Sequence, residues 1–286
     1  MKNLSVAIIG AGKVGSAFAV SLKKKRIKII STIDKNLRKA KTLAAKVKAD
    51  HYSTKISQIP EKTNLFIISV QDRFIKEVSQ ELSKNFSDWK GKFAFHTSGS
   101  LNSDELIDLA ERGCNVFSFH PNYSFASDYF EDNLINFNDS VFAIETDSKI
   151  SKHFAIDFCK KMNWDYIILK KDQKPIYHAF AVILSNYTVT QFFQIKKYLG
   201  NKAVKSYLNL LLSTIQNLKN LGVENALTGP VIRGDVLTIK RNLTSIENLN
   251  EELKLIYKSF GLLSLELVEQ KLDKQTFQEI KKLFSN

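Results

Sequence analysis

Short apolar runs alternate with amphipathic stretches through the first 171 residues. The runs are Leu4–Ile9, Lys28–Ile33, Leu65–Val70, Lys92–His96, Asn115–Phe119, Ser140–Glu145 and Asp165–Leu169. They are rich in Ile, Val and Phe and nearly unbroken, as strands buried on both faces should be. Helical periodicity fills several intervals, for example Lys13–Lys25, Leu37–Lys48 and Ser103–Arg112. Strand and helix in alternation predict an α/β domain with a mostly parallel, doubly wound sheet.

After Lys171 the pattern changes. A long helix is expected from Lys174 to Leu199, with Pro175 in its first turn and Gly200 as its stop. Further helices are expected at Lys202–Leu221, Val231–Arg241, Ile246–Phe260, Leu262–Gln270 and Lys274–Phe284. The chain thus reads as an α/β domain over 1–171 followed by an all-α domain over 172–286.

Composition removes several classes. Apolar residues make up 44% of the 286, enough for a sizeable core, and the charged load of 25% does not suit a disordered chain. No stretch approaches about 18 uninterrupted apolar residues, so no membrane span is expected. The first strand begins almost at once and leaves no room for a signal peptide, so the expected location is the cytoplasm. The two cysteines, Cys114 and Cys159, have no partner at metal spacing, which excludes a disulfide framework and predicts no metal site.

The net charge is +13, but its distribution matters more. Residues 1–55 hold 14 Lys and Arg against 2 acids, whereas residues 101–147 hold 1 against 10. A basic first segment suits a phosphate-bearing ligand. No nucleic-acid-binding signature accompanies it, so no nucleic-acid partner is expected.

The sharpest motif is Gly10-Ala11-Gly12-Lys13-Val14-Gly15, a G-x-G-x-x-G between a buried strand and a helix. Its glycines permit a tight turn, backbone approach to a pyrophosphate, and close packing of helix on strand. This predicts a nicotinamide dinucleotide. Asp34, at the end of the second strand, stands where an acid binds the ribose hydroxyls of NAD, or where it caps the next helix. Lys35, Arg38 and Lys39 follow, as a 2′-phosphate would require. The basic segment tips the expectation to NADP over NAD.

Ligands of an open parallel sheet bind beyond the carboxyl ends of its strands. Polar groups stand there at Ser69-Val70-Gln71, at His96-Thr97-Ser98 and at His120-Pro121-Asn122. The first two fit a wall around the nicotinamide, and His120 fits a substrate contact; capping and rigid turns are the structural alternative. On the long helix, about 100° per residue brings Lys174, His178 and Ser185 onto one stripe, with Asn186 beside it. His178 suits a proton donor near neutral pH. Further on, Thr228-Gly229-Pro230-Val231-Ile232-Arg233-Gly234-Asp235 offers Arg233 as a fork for an anion.

Taken in order, these motifs resemble those of the Rossmann-like proteins that carry the domain of unknown function numbered 2520. The resemblance covers nearly the whole chain. Such proteins look like relatives of pyrroline-5-carboxylate reductase, ketopantoate reductase, deazaflavin-dependent NADP reductases and the 6-phosphogluconate dehydrogenases. The resemblance implies a nicotinamide cofactor on the first domain and a helical domain that dimerises and closes the site.

The expected function is therefore an NAD(P)H-dependent oxidoreductase that reduces a small carbonyl or imine between the two domains. In that reading His178 is the acid, with Lys174 as substitute. Ser185 and Asn186 hold the carbonyl oxygen, Arg233 and Thr228 contact the substrate, and His96 lines the nicotinamide pocket. The rival reading is a non-catalytic dimer that senses NADP(H).

Overall fold

The computed structural model describes residues 4–125, 137 and 140–285. Contacts divide the chain into two compact units, Met1–Thr190 and Gln191–Asn286. The start of the long helix therefore belongs with the sheet.

The first unit holds one eight-stranded sheet. Its strands are β1 (Ser5–Ile9), β2 (Lys28–Ile33), β3 (His51–Ser53), β4 (Leu65–Ile68), β5 (Phe93–His96), β6 (Asn115–Pro121), β7 (Val141–Glu145) and β8 (Asp165–Ile168). They lie in the order β3-β2-β1-β4-β5-β6-β7-β8. Every pairing is parallel except β6 with β7. Strand order reverses between β1 and β4, and a doubly wound sheet binds its ligand at such a switch point. The register sets one row across the sheet: Ile33, Ile9, Ile68, His96, Ser118 and Glu145. The polar residues at the strand ends are therefore neighbours in space.

Helices α1 (Lys13–Lys24), α2 (Leu37–Val47), α3 (Ile75–Ser83), α4 (Ile107–Ala110) and α5 (Lys149–Met162) connect the strands. Alternating side chains bury most of the sheet on both faces, while the edge strand β8 stays exposed along its length. Val6 and Ile8 join a cluster with Phe18, Phe95, Phe119 and Trp164 on one face. Ala7 and Ile9 join Phe66, Ile68 and Trp89 on the other. Burying each such side chain contributes about 1.5–3 kcal/mol.

Strand β3 was not expected. It has three residues, two of them polar, and its pairing with β2 rather than any pattern of its own makes it a strand. The long helix is also not one regular α-helix. It comprises α6 (Gln173–Ala181), a π-helical turn at Val182–Asn186, and α7 (Tyr187–Leu199).

In the second unit, α8 (Asn201–Leu221), α9 (Val223–Ala226), α10 (Val236–Glu247), α11 (Glu251–Glu266) and α12 (Lys274–Ser285) follow. No strand occurs after Ile168 among the described residues. Asp235 caps α10, so that helix begins later than Val231. Asn250 caps α11, which runs unbroken through Gly261 where a helix boundary was expected. There Gly261 serves packing: a Cβ on it would come within 2.5 Å of the Phe284 ring. Ile239, Leu265, Val268, Ile280 and Phe284 form this unit's core.

Candidate functional site

The glycine turn joins β1 to α1 at the switch point. Gly10 has φ +98°, and a Cβ there would lie 2.6 Å from the Ser69 carbonyl oxygen. A Cβ on Gly15 would lie 2.0 Å from the Gly10 carbonyl oxygen. Ser69 donates its hydroxyl to that same carbonyl at 2.8 Å. Gly12 differs, for a Cβ there would meet nothing within 4 Å. It begins α1 with no side chain capping the helix and no acid in the first turn. Open N–H groups at a helix start attract phosphate. Lys13 is exposed beside them and Val14 is half-buried.

Asp34 is tied into this turn. Its Oδ2 accepts from the Ala11 N–H and its Oδ1 from the Asn36 N–H, both at 2.8 Å. The cap of α2 is Asn36, which accepts from Arg38 and Lys39; Asp34 does not cap it. A cavity of about 390 Å³ opens alongside, lined by Gly10, Gly12, Asp34, Lys35, Lys39 and Phe74 among others. Val70 and Gln71 also line it. The Lys35 ammonium and the Arg73 guanidinium lie 5.4 and 4.7 Å from the Phe74 ring centre. Two lysines, Lys35 and Lys39, and three acids, Asp34, Glu77 and Glu81, share its lining. Glycine turn, open helix start and cavity fit a dinucleotide phosphate chain and a ribose.

A second constellation occupies the ends of β5 and β6. His96 is fully buried. Its Nε2 lies 2.8 Å from the Asn102 carbonyl oxygen and its Nδ1 accepts from the Ser98 N–H at 3.2 Å. Nε2 therefore carries the proton. Burial pushes the ring down to about 4, so it stays neutral and latches its loop. Thr97 donates its N–H to the Ile68 carbonyl, and Ser98 donates its hydroxyl to Asp72 at 2.8 Å.

Lys174, on α6, is also fully buried. Its ammonium donates to the Ser98 carbonyl and to the Ser118 hydroxyl, both at 2.8 Å. Burial pushes it down to about 8, against the pull of Glu145 and Asp72. Glu145 accepts from the Ser103 N–H and hydroxyl at 2.6 and 3.0 Å, while burial raises its pKa. His120 lies 3.2 Å from the Tyr177 hydroxyl through Nδ1. Burial first, then the neighbouring Lys174, His178 and His96, push His120 down to about 3.

The His178 Nδ1 is buried and has no hydrogen-bond partner among the described residues. The His120 and His178 rings stand 6.0 Å apart and nearly perpendicular. Both reach over Gly99, where a Cβ would lie 2.4 Å from His178 Nδ1 and 3.0 Å from His120 Nε2. An unpaired buried nitrogen is costly unless a ligand takes it up.

The structure thus brings Lys174 and His178 together with His96, Ser98 and His120. Ser185 and Asn186, in the same unit, do not join them. The π turn adds to the helix register after Ala181, so the stripe computed for a regular helix does not carry on to Ser185 and Asn186. Both are exposed on that turn. Thr228 and Arg233 are exposed residues of the second unit. Ser118, Glu145 and Tyr177 were missed. Ser118 and Glu145 look like ordinary strand residues, and only the sheet register places them beside Lys174.

A doubly wound sheet with a glycine turn at its switch point defines a Rossmann-like protein. Accordingly, residues 1–121 match the Rossmann-like domain family and residues 140–263 match the domain of unknown function DUF2520. The two matches follow one another along the chain, and the second takes in β7, α5 and β8 as well as the helices that come after them. No curated protein sequence matches it.

Many solved structures share the fold, three of them with the following similarity to this chain. One is a Bacteroides fragilis protein assigned as an NADP oxidoreductase, 23% identical with a TM-score of 0.72, covering 93% of this chain and 98% of that one. Another is an imine reductase variant from Myxococcus stipitatus in complex with NAD+, 12% identical with a TM-score of 0.62, covering 98% and 99%. The third is a reductive aminase from Aspergillus terreus in complex with NADPH and ethyl-5-oxohexanoate, 15% identical with a TM-score of 0.59, covering 99% and 93%. No described helix is long and apolar enough to cross a membrane, and the described residues hold no cluster suited to a metal ion.

Proposed function

We propose that this protein is an NAD(P)H-dependent oxidoreductase, using NADP, that reduces a small carbonyl or imine compound. One observation carries the reading: the open, uncapped start of α1 at Gly12 adjoins a cavity walled by Asp34, Lys35 and Lys39. Gly10 to Gly15 would hold the pyrophosphate, and Lys35 and Lys39 a 2′-phosphate. Ser69, Val70, Gln71, Thr97 and Ser98 would flank the nicotinamide half. The fold neighbours named for NADP, NADPH and NAD+ support a nicotinamide cofactor.

When bound, that cofactor supplies the hydride. His178 supplies the proton, because its buried Nδ1 has no partner among the described residues. Lys174 is a weaker candidate for the acid than the sequence suggests, since its ammonium is already held by Ser98 and Ser118. It positions the His96–Ser100 loop instead. His120 contacts the substrate, and the exposed Ser185, Asn186, Thr228 and Arg233 of the helical region 172–286 select it.

The helical region also forms a homodimer in this reading. Helix α8 buries no residue, and Leu208, Leu210, Leu212, Ile215, Leu218 and Leu221 are all exposed along it. So much apolar surface on one helix calls for a second copy. Light scattering of the purified protein checks this, with a dimer mass expected.

Titration with NADPH and NADH tests the cofactor. NADPH is expected to bind the tighter, and binding of neither overturns the reading. Consumption of NADPH with 2-oxo acids and cyclic imines then tests the chemistry. Tight binding with no turnover of either class would favour a redox sensor.

A further inference from the structure

The contact between Tyr177 and His120 has no part in the roles above. His120 is the last residue but one of β6, and Tyr177 precedes His178 on α6. The Tyr177 hydroxyl meets His120 Nδ1 at 3.2 Å, with the rings 5.7 Å apart and nearly perpendicular. On its other side His120 directs Nε2 to the bare Cα of Gly99, the point His178 Nδ1 also approaches.

A phenol is a much stronger acid than a neutral imidazole N–H, and an unprotonated imidazole nitrogen is a better base than a phenol oxygen. Between these two rings the matched bond runs from O–H to nitrogen. Burial pushes the Tyr177 hydroxyl up to about 12, so it keeps its proton through the neutral range. The groups acting on His120 are Lys174 and His178 from α6 and His96 from β5, and none of them is acidic. The imidazole is therefore neutral and carries one proton. With Nδ1 taken by the tyrosine, that proton sits on Nε2 and faces Gly99.

We propose that Tyr177 is a positioning residue that fixes His120 as the Nε2–H tautomer. His120 then donates a hydrogen bond to the same substrate heteroatom that His178 protonates. The second step rests on the reductase reading; the tautomer does not. A neutral donor polarises a carbonyl or imine without giving up its proton, which leaves the transfer to His178.

The test is long-range proton–nitrogen NMR of the full chain labelled with 15N-histidine. The chain has five histidines, and a His120→Asn sample identifies the His120 signals by their loss. The expected spectrum shows a protonated Nε2 and an unprotonated Nδ1 for His120 at neutral pH. Tyr177→Phe, which keeps the ring and its packing, shifts both signals toward a mixture of tautomers. A protonated Nδ1 in the wild type, or an unchanged spectrum in Tyr177→Phe, overturns the proposal. Where a substrate is turned over, Tyr177→Phe lowers kcat about tenfold and leaves the KM for NADPH unchanged, less than the ~100-fold or more for outright loss of such a donor. Failure to bind NADPH would remove the reductase reading while leaving the tautomer result to stand or fall by itself.

Discussion

The Lys174 ammonium donates to the Ser98 carbonyl at 2.8 Å, linking residues 76 positions apart. With its second bond, to Ser118, it fastens α6 to the ends of β5 and β6. A lysine that reads in the sequence as a spare proton donor is in the fold a buried strut. Charging it in that setting costs stability, and this gives the first prediction.

Lys174 titrates near 8 in the folded protein, against 10.5 for an ordinary lysine. Between these values the unfolded chain binds the proton and the folded one does not, so stability rises with pH. The wild type should therefore gain on Lys174→Met by up to about 3 kcal/mol between pH 8 and pH 10.5. Lys171, held above its usual value by Asp104 and Asp147, titrates in both proteins and cancels in the difference. Urea unfolding of both across this range is the measurement. A constant difference would show that Lys174 is not desolvated.

Gly10 and Gly12 should respond in opposite ways. Gly10→Ala forces a side chain into the Ser69 carbonyl at a positive φ and should lower stability by about 1–3 kcal/mol. Gly12→Ala meets open space at an ordinary backbone angle and should leave Tm nearly unchanged. The same methyl would stand between backbone and phosphate, raising the Kd for NADPH about 100-fold, as losing charge-assisted hydrogen bonds should. Full affinity in Gly12→Ala would place the phosphates elsewhere.

Lys35→Ala and Lys39→Ala should weaken NADPH about tenfold each, since a hydrogen bond to a charged group contributes about 1.5–3 kcal/mol. NADH lacks the 2′-phosphate and should lose little. Equal losses for both cofactors, read by fluorescence titration, would mean these lysines supply only a general positive field.

Gly99→Ala places a Cβ 2.4 Å from the His178 ring nitrogen and 3.0 Å from His120 Nε2, between the two rings. The pair His120 and His178 must separate. Turnover should fall at least about 100-fold, in line with the loss of a preorganised donor, while the NADPH affinity stays within about twofold. Retained turnover would remove the two rings from the chemistry.

Much of this architecture was written locally. The runs that became β1, β2, β4, β5, β6 and β7 were visible because a doubly covered strand needs consecutive apolar residues, whereas the exposed edge strand β8 was visible by its run of aromatic and β-branched residues alone. The glycine turn was visible because its backbone requirements allow little else. Asn36 takes the cap that was the alternative reading of Asp34, because two residues further on it sits in reach of the first free N–H groups of α2. Strand β3 escaped notice because three residues carry no period.

The site was only half legible. Its candidates at the strand ends, Ser69, His96, Ser98 and His120, follow from chain order and sheet topology. Which of them hold the fold and which remain open to a ligand does not follow, because that depends on partners far along the chain. His96 spends both nitrogens on its own loop. Lys174 meets Ser118 across 56 residues, and Tyr177 meets His120 across 57. Sequence alone determined seven of the eight strands, the glycine turn and the helical second half, since burial period and backbone angle are properties of neighbouring residues. The tertiary structure decided the tautomers, the strut and the unpaired histidine, since hydrogen bonds and desolvation are set by what folding brings alongside.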